Sequence, residues 1–413
     1  MTYRLGIVTT HPVQYYAPWF RELARRLDIE VFYAYQQDAQ GQADAGFGKA
    51  FEWDIPLLDG YSWRWLKNIS KNPGLQTFGG CDTPEIHDIV KNGNFDAFLA
   101  IGWHFKSALQ TAWACKKNGI PFLMRGDSQL GTPRSRLKSA LKYLPYRLLL
   151  PRVDAHLYVG TRNREYLEHY GVPQEQLFYC PHAIDNDFFK KQAEQAIASK
   201  KPEKIREELN IPPDAFIYLF VGKFIPKKRV ADFIRAFQKA FPAPHPGTIH
   251  AILVGDGPLK GDLLQLAKSY LDKIHFVGFK NQSELPTFYA TANALVLPSD
   301  GEETWGLVVN EAMACGIPAI VSDAAGCSVN MIDDKQTGLS FPLGDIETFS
   351  DKLKELVNIC HQQKELVAKA LVEKMALHSI KQASNGLQKA LDDLVSNKQH
   401  RMGAGRHTPQ TED

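Results

Sequence analysis

The stretch SDGEETWGLVVNEAMACGIPAIVSD, residues 299–323, decides how the rest of the chain is read. It places Glu302 and Glu303 just ahead of Gly306, then sets one more acid, Glu311, among apolar residues. NALVLPSD (293–300) ends an apolar strand. GLVVNEAMACG (306–316) has the spacing of a helix stopped by Gly316, and IPAIVSD (317–323) is the next strand. Strand, helix and strand in this order make a parallel crossover unit. The amides of Gly306, Leu307 and Val308 would lead the helix without intrahelical partners, which makes an anion site. Acids at a helix start also complement its dipole, and a lone buried Glu can simply be held by a core hydrogen bond. Those readings explain each acid alone, but not the pair beside a lysine-rich strand end.

The same alternation runs outward in both directions. LGIVTT (5–10), IEVFYAY (29–35), AFLAIG (97–102), PFLMRG (121–126) and AHLYVG (155–160) are strand-like, with YAPWFRELARRL (16–27) and SALQTAWACKKNG (107–119) as helices between them. The polar stretch 190–204 interrupts the pattern as a connector or a surface helix. It restarts with FIYLFVG (216–222), TIHAILVG (248–255) and KIHFVG (273–278). Two doubly wound, Rossmann-like α/β domains are expected, facing each other across a cleft at the strands' carboxyl ends, where such sheets bind ligands. The expected division is 1–190, a linker at 191–204, 205–375, a helix at 376–395 packing back on the first domain, and a flexible tail at 396–413.

Composition narrows the class. The 413 residues are 44% hydrophobic and 23% charged, with formal net charge +2, so neither disorder nor nucleic-acid binding is indicated. No apolar run reaches the roughly 18 residues that span a bilayer, and the N-terminus reads as a strand rather than a signal peptide. Cys81, Cys115, Cys180, Cys315, Cys327 and Cys360 are scattered without a CxxC pair. That is the pattern of reduced thiols and of a cytoplasmic protein.

FVGKFIPKKRV (220–230) ends a strand at Gly222 and follows it with Lys223 and Lys228, with no acid between Asp214 and Asp232. A glycine lets a phosphate approach the backbone and lysines neutralise it, which suits a diphosphate. A solvated basic helix start is the plainer alternative. LVGDGPLKG (253–261) spells GxGxxxG after a strand, but Pro258 and its place as second strand weaken a dinucleotide reading. Gly255 and Gly257 are better read as a tight turn beside a ligand or a neighbouring strand.

These pieces together resemble the retaining glycosyltransferases of family 4. Glu303 and Glu311 fall on that family's two glutamates separated by seven residues. Lys223 and Lys228 fall on its Arg and Lys after VG, with Arg229 where a Gly is usual. LVGDGP, the VGF of 277–279, ANALVLPS and PHAIDNDFF (181–189), with His182 for the usual Asn, resemble it too. The resemblance implies a GT-B fold and a nucleoside-diphosphate sugar held mainly by the second domain. It assigns Glu311 to the ribose hydroxyls and Glu303, with Thr304 and Trp305, to the donor sugar. The amides of Gly306, Leu307 and Val308 hold sugar and phosphate oxygens, and Lys223 and Lys228 the leaving diphosphate. Gly222, Gly255, Gly278 and Phe279 complete the donor side. It implies a hydroxyl acceptor, lipid-linked acceptors being frequent among related enzymes, in surface polysaccharide or glycolipid synthesis, and no metal or other cofactor. A nucleotide-sugar epimerase of the same fold and a non-catalytic binder are the rival readings. Asp185-Asn186-Asp187 looks like turn and cap chemistry, not a metal motif.

The first half departs from the family. TTHPVQYYAP (9–18) stands where many members have a Gly-rich loop, and Arg125, Gly126 and Asp127 where many have a His. His11 and Gln14 after the first strand, His104 in GWHFKS, and Arg125 and Asp127 in MRGDSQ are the acceptor-side candidates, with His104 and Asp127 also candidates for catalysis. Segment 133–152 carries six Lys/Arg with no acid between Asp127 and Asp154, and Leu137, Ala140, Leu141 and Leu144 at helical spacing. It is either a helix with one core face or a basic amphipathic helix resting on an anionic membrane; the latter would make the protein peripheral on the inner face of the membrane.

Overall fold

A computed structural model describes residues 2–37, 52–243 and 248–404. Two parallel sheets organise the chain. The first runs β3-β2-β1-β4-β5-β6-β7, with β1 Arg4–Thr9, β2 Asp28–Tyr33, β3 Ser62–Trp65, β4 Ala97–Ile101, β5 Phe122–Gly126, β6 Ala155–Tyr158 and β7 Leu177–Tyr179. The second runs β10-β9-β8-β11-β12-β13, with β8 Phe216–Val221, β9 Ile249–Val254, β10 Ile274–Gly278, β11 Ala294–Leu297, β12 Ala319–Ser322 and β13 Gly338–Phe341. Every residue of β4, β8, β9, β11 and β12 is buried. Strands covered by helices on both faces must be apolar throughout, which is why they read as unbroken hydrophobic runs.

In each sheet the strand order reverses once, between β1 and β4 and between β8 and β11. Side chains that follow those strands therefore meet in a crevice. His11 and His104 follow β1 and β4; Lys223, Lys228 and Glu303 follow β8 and β11.

Residues 191–204, expected as a linker, lie in helices Asn186–Ala198 and Lys201–Glu208, joined through Lys200 at φ 56°. Phe189, Ala193 and Ala196 form a narrow buried stripe at helical spacing, mostly of alanine, and Phe189 belongs to the second core. Asp185 caps the first of these helices by accepting from the Phe188 amide at 3.0 Å. Helix Ile380–Ala404 returns to the first domain: Ala383, Leu387, Ala390 and Leu391 share a core with Leu5, Ile7, Trp19, Phe20 and Leu99. Residues 396–404 of the expected flexible tail thus continue a helix, and 405–413 lie outside the described residues. Among the described residues no helix is long and apolar enough to cross a membrane.

Candidate active site

The loop between β11 and helix Val308–Ala314 carries the acids of the opening stretch. Gly306 adopts φ 105°, a left-handed conformation that glycine takes without a side-chain clash, and this turns the chain into the helix. The Val309 amide bonds the Gly306 carbonyl and the Glu311 amide that of Leu307, so the amides of Gly306, Leu307 and Val308 lead the helix.

Lys228 Nζ donates to Glu303 Oε2, and both side chains are largely buried. Desolvation alone would raise the Glu303 carboxyl; the charge and hydrogen bond of Lys228, with Lys227 behind it, bring it below the ordinary range. Burial and the neighbouring Lys228 and Lys227 charges push the Lys223 ammonium down to about 8. Three lysines against one glutamate make a cluster with excess positive charge, suited to an incoming anion. Arg229 takes φ 52°, where L-residues other than Asn and Asp are disfavoured. The glycine usual at that position in the resembling family has a backbone reason, and Arg229 is tied down here through Asp232 at 2.7 Å.

Glu311 is fully buried. Its Oε1 accepts from Tyr15 Oη at 2.8 Å and its Oε2 from Tyr289 Oη at 2.6 Å. Burial pushes its carboxyl up to about 7 even against those hydrogen bonds. Tyr15 comes from the loop after β1, so the first domain reaches Glu311 directly.

A second bridge joins the domains at the other acid. Thr304 Oγ1 donates to Asp127 Oδ2 at 2.7 Å, and His182 Nε2 lies 3.7 Å from the same oxygen. Desolvation opposes ionisation of Asp127, but His182 and Thr304 bring it down to about 2. Gln129, 1% exposed, donates to the carbonyls of Gly301 at 2.9 Å and Glu303 at 3.2 Å. Arg162 donates to the Ala324 carbonyl at 3.1 Å, and Asn330 accepts from the Thr161 amide at 3.0 Å.

The structure thus brings Glu303, Thr304, Lys223, Lys228, Asp127 and Glu311 to one cleft. His11 and His104 follow β1 and β4 at the reversal point of the first sheet; burial pushes His11 down to about 4 and lowers His104 against the pull of Asp127. Gln14 precedes Tyr15 on the same loop. Two candidates sit elsewhere. Arg125, expected on the acceptor side, is 3% exposed and donates to the Pro181 carbonyl at 3.0 Å, lying over the Trp19 ring. A cation at the end of a buried strand needs such partners, and this one is spent inside the first domain. The Trp305 ring also faces inward: Nε1 donates to Asn310 at 2.9 Å, and the ring lies 5.4 Å from His182.

The glycines of LVGDGP are turns against the neighbouring strand. A Cβ on Gly255 would lie 1.9 Å from the Gly222 carbonyl oxygen, and one on Gly257 2.7 Å from that of Phe224. Gly278, at φ 75°, closes β10 ahead of Phe279. Sequence reasoning missed Tyr15, Tyr289 and Gln129. TTHPVQYY and MRGDSQ contain two of them, but no local pattern marks a tyrosine or a glutamine whose partner lies in the other domain.

Residues 201–371 match the family described as glycosyl transferases group 1. Over 156 residues it is 31% identical to N-acetyl-alpha-D-glucosaminyl L-malate synthase of Bacillus anthracis, covering 37% of this chain and 39% of that protein. Over 193 residues it is 25% identical to lipopolysaccharide 1,2-N-acetylglucosaminetransferase of Salmonella typhimurium, covering 45% and 48%. The chain spans about a fifth to two fifths of the first curated relatives it matches. The solved structure of Anabaena HepE in complex with UDP superposes with a TM-score of 0.68 at 15% identity, covering 94% of this chain and all of that one. The two parallel-sheet domains have the GT-B fold.

Proposed function

We propose that this protein is a retaining glycosyltransferase that moves a sugar from a nucleoside diphosphate, which we take to be UDP, to a hydroxyl of a growing surface polysaccharide or glycolipid. The observation that carries the reading is the buried Lys228–Glu303 pair at the reversal point of the second sheet, with Lys223 beside it. Lys223, Lys228 and the amides of Gly306, Leu307 and Val308 hold the diphosphate. As the bond from the sugar's anomeric carbon to phosphate breaks, negative charge builds on the departing oxygen, and fixed cations and dipoles already aimed there lower the barrier. The acceptor oxygen forms its bond on the face that the diphosphate vacates, and its proton passes to the departing phosphate. No carboxylate nucleophile and no metal is assigned a part.

Glu303 binds hydroxyls of the donor sugar, and Glu311 the ribose, exchanging or sharing its tyrosine partners. Asp127, ionised and bridged to Thr304, is the first-domain carboxylate nearest the donor loop and takes an acceptor or sugar hydroxyl. We place the protein in the cytoplasm. The relative named a lipopolysaccharide 1,2-N-acetylglucosaminetransferase and the HepE complex with UDP support the substrate class.

A thermal-shift screen of UDP, GDP and ADP tests the donor half. A bound nucleotide at 100 times its Kd stabilises the fold by about 2.7 kcal/mol. UDP is expected to shift the wild type and to lose most of that effect in Lys228→Ala. No shift with any nucleotide, or an undiminished shift in Lys228→Ala, would overturn the assignment.

A further inference from the structure

Glu311 is 0% exposed, so a ribose can reach it only if one of its present neighbours gives way. Those neighbours differ in how firmly they are held. Tyr289, on helix Leu285–Thr291, is also 0% exposed, and its ring meets Phe189 edge to face with 6.2 Å between centroids. Gln282 is 4% exposed, lies just ahead of that helix and also donates to the carboxylate. Both belong to the second domain and move with Glu311. Tyr15 does not. It immediately precedes helix Tyr16–Ala24 of the first domain, and its ring is only partly buried, against the second core. It reaches Glu311 across the cleft at 2.8 Å. Of these neighbours it is the one that can leave without unpacking a core.

The bond it makes is the bond a ribose hydroxyl would make. An O–H donor on a carboxylate oxygen is how an acid holds ribose in a nucleotide site. Here two phenols set one such donor on each oxygen, Tyr15 on Oε1 and Tyr289 on Oε2. Replacing one hydroxyl by another keeps the buried carboxylate supplied with donors. Removing a donor without replacement would leave a buried acceptor unpaired, which is costly. Gln14 donates to the Tyr15 oxygen, so the phenol is engaged both as donor and as acceptor.

We infer that Tyr15 is an internal substitute for ribose: it covers Oε1 of Glu311, and a nucleoside diphosphate binds by replacing it there while Tyr289 stays on Oε2. Tyr15 thereby sets the affinity for the nucleotide, because only molecules in which Glu311 is uncovered accept the ligand. When Tyr15 leaves, Gln14 loses its partner, and the loop that carries His11 loses its tie to Glu311. Filling of the donor side is in this way passed to the first domain. The inference rests on the reading that Glu311 holds the ribose of a donor nucleotide.

Calorimetric titration of the full chain with UDP tests it. Tyr15→Phe keeps the ring against the second core and removes only the hydroxyl. This variant is expected to bind UDP at least about fivefold more tightly than the wild type. A role in packing or in shaping the site would leave the affinity unchanged or lower it. Tyr289→Phe removes a partner that stays in place, and is expected to bring no gain. 2′,3′-Dideoxy-UDP brings no ribose hydroxyl to Glu311, and its affinity is expected to differ by less than about twofold between the wild type and Tyr15→Phe. Three results would overturn the inference: UDP affinity in Tyr15→Phe at or below that of the wild type, an equal gain for UDP and the dideoxy nucleotide, or a gain in Tyr289→Phe as large as that in Tyr15→Phe. No UDP binding by either the wild type or Tyr15→Phe would sink the UDP reading, and the inference with it; UDP binding that ignores Tyr15→Phe sinks the inference alone.

Discussion

At the residue scale the site turns on two glutamates with opposite surroundings. Glu303 faces a lysine and is held below the ordinary carboxylate range; Glu311 faces two phenols in a dry interior and is pushed up to about 7. The second shift has a sign. The ordinary value is 4.5, so the folded protein binds this proton more tightly than the unfolded chain does. Stability from Glu311 is fully present below about pH 4.5 and is lost as pH rises to about 7, amounting to roughly 3 kcal/mol. Glu311→Gln keeps the shape and removes the charge. Denaturant midpoints are expected to fall less between pH 5 and pH 8 in this variant than in the wild type, with the variant the more stable at pH 8 and its UDP binding weakened. Identical pH profiles would contradict the buried-acid account. Glu303, Glu311, Lys223 and Lys228 were legible because their spacing is local. Tyr15, which bonds Glu311 from 296 residues away, was not, since a tyrosine after a strand looks the same whether it meets solvent or an acid.

At the scale of elements, the donor loop is held by its neighbours' backbones. Gly326 follows β12 and donates its amide to the Glu303 carbonyl at 2.9 Å; a Cβ there would lie 1.8 Å from the Thr304 carbonyl oxygen. Backbone cannot swing aside as a side chain can. Gly326→Ala is expected to displace the 303–304 turn, costing about 1–3 kcal/mol and most of the UDP-induced thermal shift, while far-ultraviolet circular dichroism stays that of the wild type. A full nucleotide shift in this variant would show that the turn is less constrained than its packing indicates. The central strands were readable as apolar runs because both their faces are covered. The edges were not: β3, SWRW, alternates exposed with half-buried residues, and β7 is three residues long. The stretch 190–204 reads as a connector or a surface helix, and its packing on the second core stayed hidden because mostly alanines carry the buried stripe of helix Asn186–Ala198.

At the scale of the whole molecule, the two domains meet through fitted surfaces as well as through the cleft. Gly160, after β6, has an extended backbone that any residue adopts, yet a Cβ there would meet the Trp305 ring at 2.5 Å and Asn330 Oδ1 at 2.7 Å. Gly160→Ala is expected to wedge the domains apart, raising the radius of gyration in small-angle scattering and breaking the Thr304–Asp127 and Tyr15–Glu311 bridges together. An unchanged radius with an unchanged melting temperature would mean that the interface repacks freely. The two-domain plan was legible from the alternation of strands and helices, whereas the contacts that set one domain against the other depend on shape, which no periodicity records. The return of helix Ile380–Ala404 to the first domain bears on how the chain is made. Leu387 and Leu391 complete a core whose last strand, β7, ends at Tyr179, about 210 residues earlier. At roughly 5–20 residues per second of synthesis, the half that leaves the ribosome first waits about 10–40 s for its final wall. The second domain, whose core draws on residues 184–375 apart from Val159, can close during that interval. The half born first is the half finished last, and its unfinished face is the one a chaperone would meet.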